Sequence, residues 1–82
     1  MSYMVYILEC SDKTLYTGIA IDVQKRLIEH NTSDKGAKYT RVRRPVKLVY
    51  SEKAEDRSSA CKREYAIKQL SRAQKLELIG NN

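Results

Sequence analysis

Eighty-two residues, 41% hydrophobic and 32% charged, suit one small folded domain over residues 1–82 and exclude a disordered chain or a second core. Sixteen Lys and Arg against ten Asp and Glu leave a net charge of +6, a field that favours polyanionic partners. No apolar run reaches the roughly 18 residues of a membrane span, Met1-Ser2-Tyr3 lacks a basic export region, and two isolated cysteines with one histidine fall short of a structural zinc site. A cytoplasmic location away from membranes is therefore expected, with Cys10 and Cys61 reduced and packed.

Residues 3–10, Tyr-Met-Val-Tyr-Ile-Leu-Glu-Cys, are rich in aromatic and β-branched types and predict a strand, apolar on both alternating faces as a doubly covered strand would be. A polar turn, Ser11-Asp12-Lys13, leads into a second strand over 14–20, so the pair reads as a hairpin. Asp22 is placed to cap a helix from Val23 to about His30. Residues 31–45 form a long connection closed by Pro45, followed by a short third strand over 46–50. A second helix starts around residues 56–58 and runs to Leu70. Ser71 and Gln74 fit a capping box for a last helix that stops at Gly80. The order β-β-α-β-α-α predicts an α/β (α+β) fold: a three-stranded antiparallel sheet with flanking helices.

Several polar residues fall where apolar ones are expected. Val23, Arg26, Leu27 and His30 share one helical face, so packing Val23 and Leu27 carries Arg26 and His30 to the core side or its rim. Two readings of Arg26 stay open: a packed stem with its head in water, or a planar fork offered to a phosphate from a wet cleft. His30 reads either as a structural imidazole or as a group that moves protons near neutral pH. On the second helix, Glu64 lies with Ala60 and Ile67, close to Cys61. A carboxylate in such a recess suits a hard cation such as Mg²⁺, whereas Lys68 four residues on offers a plain surface ion pair. Tyr6 and Tyr16 stand in the two hairpin strands, where tyrosine usually packs. Gly18 follows two residues after Tyr16, and glycine inside a strand often marks a close approach. The long connection gathers Lys35, Lys38, Arg41, Arg43 and Arg44 around Tyr39, a composition that suits nucleic-acid backbone contacts with base stacking. A merely solvated loop is the other reading. No base-reading motif accompanies it, so little sequence specificity is expected.

These residues, in this order, resemble the GIY-YIG nuclease superfamily. Its first triplet is matched by Met4-Val5-Tyr6 and its second by Tyr16-Thr17-Gly18; Arg26 matches its helical arginine and Glu64 its metal-binding glutamate. Leu15-Tyr16-Thr17-Gly18-Ile19, Lys38-Tyr39-Thr40-Arg41 and Ile67-Lys68-Gln69-Leu70-Ser71-Arg72 are similar to the small single-domain, largely uncharacterised branch, and the likeness runs from residue 3 to about 79. Only the tyrosine of the first triplet is kept, and threonine replaces isoleucine in the second. Neither Asn81 nor Asn82 matches the asparagine some members use, and no DNA-targeting domain is matched. The resemblance implies a metal-dependent endonuclease acting on DNA more than RNA, on branched or single-stranded forms, in repair or processing. It implies one Mg²⁺ or Mn²⁺ on Glu64, with Arg26 stabilising charge on the phosphate. Tyr6 is then the candidate general base, with His30 as the competing base. Tyr16 would orient the water or steady the phosphate, Gly18 would admit the strand to the cluster, and Lys38, Tyr39 and Arg41 would hold the flanking strand. A nucleic-acid binding module without useful catalysis and an adaptor active only with a partner protein are the alternatives.

Overall fold

The computed structural model describes residues 2–32 and 37–80. Lys35, Asn81 and Asn82 of the sequence reading lie outside the described residues. Strands β1 (Tyr3–Glu9), β2 (Leu15–Ala20) and β3 (Lys47–Ala54) form an antiparallel sheet in the order β2-β1-β3. Helices α1 (Val23–Thr32), α3 (Arg57–Lys68) and α4 (Arg72–Gly80) flank it, and a four-residue helix α2 (Lys38–Arg41) interrupts the connection before β3.

The central strand explains the layering. Val5, Tyr6, Ile7 and Leu8 are all buried, and successive side chains of a strand point to opposite faces. Val5 and Ile7 pack with Ala60 and Ile67 of α3 and with Leu78 and Ile79 of α4. Tyr6 and Leu8 pack with Val23 and Leu27 of α1 and with Val46. A strand apolar on both faces is thus covered on both.

Capping follows local chemistry. The Asp22 carboxylate accepts from the Lys25 N–H at 3.1 Å, and that of Asp56 from the Ser59 N–H at 2.8 Å. Ser71 and Gln74 exchange bonds at 2.9 and 3.2 Å, closing the predicted box.

Three expectations need correction. The third strand runs four residues past Tyr50, because β1 offers ladder partners as far as Tyr3 opposite Ala54; the polar run Ser51-Glu52-Lys53 hid that extension. The first helix continues through Asn31 to Thr32; instead of ending it, the Asn31 side chain accepts from the Val46 N–H at 2.8 Å and donates to the Val46 carbonyl at 3.0 Å. Cys10 is buried as expected, but Cys61 is exposed, on the outer side of α3.

The hairpin turn also ties down the distant connection. Asp12 accepts from the Thr14 N–H and hydroxyl at 3.1 and 2.6 Å, and from Arg43 Nε at 3.2 Å. Its carboxyl is held below the usual range by the Thr14 bonds first, with Arg43 assisting. Among the described residues one buried side-chain polar atom has no hydrogen-bond partner, the hydroxyl of Thr17. An orphan of this kind costs about 1–3 kcal/mol.

Candidate active site

Pairing of β1 with β2 sets Tyr6 opposite Gly18. A Cβ at Gly18 would lie 2.6 Å from the Tyr6 hydroxyl oxygen, 2.7 Å from Cζ and 3.2 Å from Tyr16 Cε2. Glycine is required here by space, since the Tyr6 ring end and the Tyr16 ring edge occupy the room a side chain would take.

The Tyr6 ring, 2% exposed, ends against α1. Its hydroxyl lies 2.9 Å from His30 Nε2 and is hydrogen-bonded to the Arg26 guanidinium. Burial raises the phenol's pKa; the Arg26 bond opposes that, while the Tyr16 and Glu64 charges add to it. Arg26 in turn bonds Glu29 Oε1 at 3.2 Å. Tyr6 and Glu29 hold its pKa up against partial burial. With its side chain 30% exposed, Arg26 sits at the boundary between core and solvent, combining the two positions the helical spacing allowed.

His30 is fully buried. Burial, and then the Arg26 and Arg44 charges against Glu29, lower its pKa from 6.5 to about 4. It is therefore neutral near pH 7. Its Nδ1 lies 2.8 Å from Thr40 Oγ1, and the Thr40 hydroxyl donates to the Ala37 carbonyl at 2.9 Å. With the Thr40 proton on that carbonyl, Nδ1–H donates to Thr40 and Nε2 is left as the acceptor for the Tyr6 O–H. The Arg26 bond to the Tyr6 oxygen fits the same assignment. The Ala37 N–H also points at Nδ1, from 3.4 Å, beyond the roughly 2.7–3.2 Å of a normal bond. Thr40, fully buried in α2, is the residue that sequence reading missed. Its only signal was membership of the Lys38-Tyr39-Thr40-Arg41 segment, because a loop has no periodicity to betray which side chain turns inward.

Glu64 projects from α3 with its side chain 24% exposed, and Lys68 Nζ stands 3.4 Å from Oε2. The ion pair read from the sequence is formed, and the Glu64 charge adds a small upward push to the Tyr6 pKa. No three His, Cys, Asp or Glu cluster in a metal-binding group among the described residues. A single half-buried carboxylate fits Mg²⁺ or Mn²⁺, hard ions that keep much of their water, and does not fit a protein cage of zinc type.

Aromatic contacts extend the cluster outward. Tyr16 meets the His30 ring edge-on at 5.4 Å and stacks on Tyr39 at 6.0 Å with the planes 24° apart. Arg43 Cζ lies 3.9 Å over the Tyr39 ring, worth roughly 0.5–1 kcal/mol at such a partly exposed site. The basic connection thus divides. Lys38 and Arg41 are exposed. Arg43 is committed to Asp12, the Tyr39 carbonyl and the Tyr39 ring, and Arg44 donates to the His30 carbonyl. Both were expected to face nucleic acid. They brace the loop instead, Arg43 against the Asp12 carboxylate and Arg44 against the end of α1. Tyr39 is only partly exposed and already has an aromatic and a cationic neighbour on its ring.

A family model described as the GIY-YIG catalytic domain matches residues 2–77. Among similar proteins, the UPF0213 protein DP2720 of Desulfotalea psychrophila is 59% identical over 78 residues, covering 95% of this chain and 71% of that one. A UPF0213 protein of Syntrophus aciditrophicus is 60% identical, covering 95% and 90%. The solution NMR structure of the UPF0213 protein BH0048 from Bacillus halodurans matches with a TM-score of 0.64 and 44% identity, covering all of this chain and 86% of that one. That of EF2693 from E. faecalis matches at 0.63 and 42%, covering 95% and 83%.

Proposed function

We propose that this chain, which belongs to the GIY-YIG catalytic-domain family, is a metal-dependent endonuclease that hydrolyses phosphodiester bonds in DNA, single-stranded or branched, during repair or processing. One observation carries the reading. The Tyr6 hydroxyl lies 2.9 Å from His30 Nε2, over Gly18 and against the Tyr16 ring, with the Arg26 guanidinium lowering and the Glu64 charge slightly raising the pKa of the same phenol. A guanidinium, a phenol and a carboxylate can serve phosphodiester hydrolysis as charge stabiliser, proton acceptor and metal ligand.

Glu64 would hold a single Mg²⁺ or Mn²⁺, which supplies Lewis-acid neutralisation of the phosphate when bound. Every other part belongs to side chains already described. Arg26 stabilises negative charge growing on the non-bridging phosphate oxygens. Water attacks phosphorus, the P–O3′ bond breaks, and the departing O3′ takes a proton from solvent. As the water attacks, its proton passes to the Tyr6 oxygen and the Tyr6 proton passes to His30 Nε2; His30 later returns its own to solvent through Tyr6. His30 bonds the Tyr6 hydroxyl from the core side, so it acts behind Tyr6 and not in competition with it. Charging an imidazole of pKa about 4 at pH 7 costs of order 4 kcal/mol, and the negative charge of a bound phosphate offsets part of that. Tyr16, at the outer edge, steadies the phosphate. Lys38 and Arg41 meet the flanking backbone, with little sequence preference.

The Glu64–Lys68 ion pair favours a second reading, a nucleic-acid binding module in which the carboxylate is permanently occupied. Labelled single-stranded, duplex and branched DNA, with RNA alongside, separates the two when incubated with the purified protein with and without Mg²⁺ or Mn²⁺. The endonuclease reading expects metal-dependent cutting that drops by about a hundredfold or more in Arg26→Ala and in Glu64→Ala, both variants remaining folded. Cutting that persists in both would remove the catalytic assignment, and salt-dependent binding without cutting would support the module.

A further inference from the structure

Arg72 and Lys75 stand in the first turns of α4 and, with Thr14, Leu15 and Tyr39, line a groove of about 200 Å³. Three and four residues apart is the spacing that puts two side chains on one helical face, with Cβ atoms about 5–6 Å apart. Neither side chain has an ion pair or hydrogen bond among the described residues, whereas Arg26, Arg43, Lys47, Arg63 and Lys68 are all paired. No carboxylate lines the groove, and Glu77 of the same helix lies on a different one with Leu70, Gln74 and Leu78. Position adds to charge. Tyr39, which forms one wall, is the ring stacked on Tyr16, and Tyr16 abuts His30. The groove therefore begins where the aromatic run leading out of the Tyr6 site ends.

We propose that this groove receives the phosphodiester backbone of the nucleic-acid strand beside the cut, with Arg72 and Lys75 each neutralising one phosphate. Two unpaired cations with no competing acid make a surface complementary to a polyanion. Leu15 and the Tyr39 ring supply an apolar wall for the sugar that separates the two phosphates. The assignment rests on the nuclease-fold reading above and deepens it by naming where the substrate strand leaves the site.

Arg72→Gln/Lys75→Gln in the 82-residue chain tests it, with fluorescence anisotropy of a labelled single-stranded oligonucleotide measured over a range of salt. The expected result is an affinity lower by about tenfold at low salt, and a log–log salt slope shallower by about 1.4, roughly 0.7 for each lost phosphate contact on a single strand. Backbone amide chemical shifts away from α4 report that the variant is folded. Wild-type affinity and slope in the folded double variant would overturn the groove alone, and would leave these cations to an acidic protein partner. Reduced affinity and slope in a protein that cuts nothing would uphold the groove while the catalytic reading fails. A wild-type chain that binds no nucleic acid at any salt would end both.

Discussion

Gly18 has no side chain because its cross-strand neighbour does. The Tyr6 ring crosses over it, and any Cβ would press into a phenol held by His30 at 2.9 Å. A buried ring so constrained cannot swing aside without losing that bond. Gly18→Ala is expected to lower stability by about 1–3 kcal/mol through overpacking and to reduce cutting further than the stability loss explains, since Tyr6 is displaced from both His30 and Arg26. Urea denaturation and single-turnover cutting measure the two effects; a variant with unaltered stability would mean the close approach is relieved at no cost. Thr17, the neighbouring departure from the family triplet, shows the opposite economy: its hydroxyl is buried without a partner, and nothing in the structure explains why a threonine stands there. Glycine's role was legible from a strand interior; that the ring it admits is Tyr6 required the register.

At the level of elements, α1 and α2 are joined through the imidazole of His30. The histidine comes from the last turn of α1, and Thr40 from a helix only four residues long. A helix this short has little stability of its own, so its position depends on contacts such as the 2.8 Å one between Thr40 and Nδ1. Thr40→Val keeps the shape and removes the hydroxyl, leaving a buried ring nitrogen unpaired at about 1–3 kcal/mol. The variant is expected to unfold at lower urea and to shift the acid limb of the pH–rate profile, and Thr40→Ser to restore both. Loss of stability with an unmoved profile would reduce Thr40 to packing. Amphipathic spacing was enough to bring His30 inward, but α2 lay in what read as a structureless connection. Its inward residue is selected by the fold of the loop and not by any repeat.

For the molecule as a whole, His30 makes stability depend on pH. The unfolded chain takes up a proton near pH 6.5, the folded chain only near about 4. Between those values the unfolded state binds more protons, so stability is full above 6.5 and declines as pH falls toward 4. The interval corresponds to a loss of order 3 kcal/mol. Wild type is expected to lose more stability than His30→Gln between pH 6.5 and 4.5 in urea titrations; parallel curves would mean the imidazole is charged in the folded state. The same assembly gathers β1, β2 and α1 around one phenol, with Gly18 and Tyr16 on one side of Tyr6 and His30 on the other. The charge distribution follows from the same folding: of the four described cations in the connection, two turn inward as braces, while the unpaired pair at the groove comes from α4.

Period and composition by themselves determined the elements, the doubly covered central strand, the helix caps and the inward turn of Arg26 and His30, because each depends on neighbours within a few residues. The tertiary structure alone decided that Thr40 backs the histidine, that Arg43 and Arg44 brace the loop, and that Arg72 and Lys75 share a groove with Tyr39. Those are pairings across tens of residues. Which partner a charged or hydroxyl group finds is set by the packing of the sheet and its helices, and no local pattern in the chain encodes it.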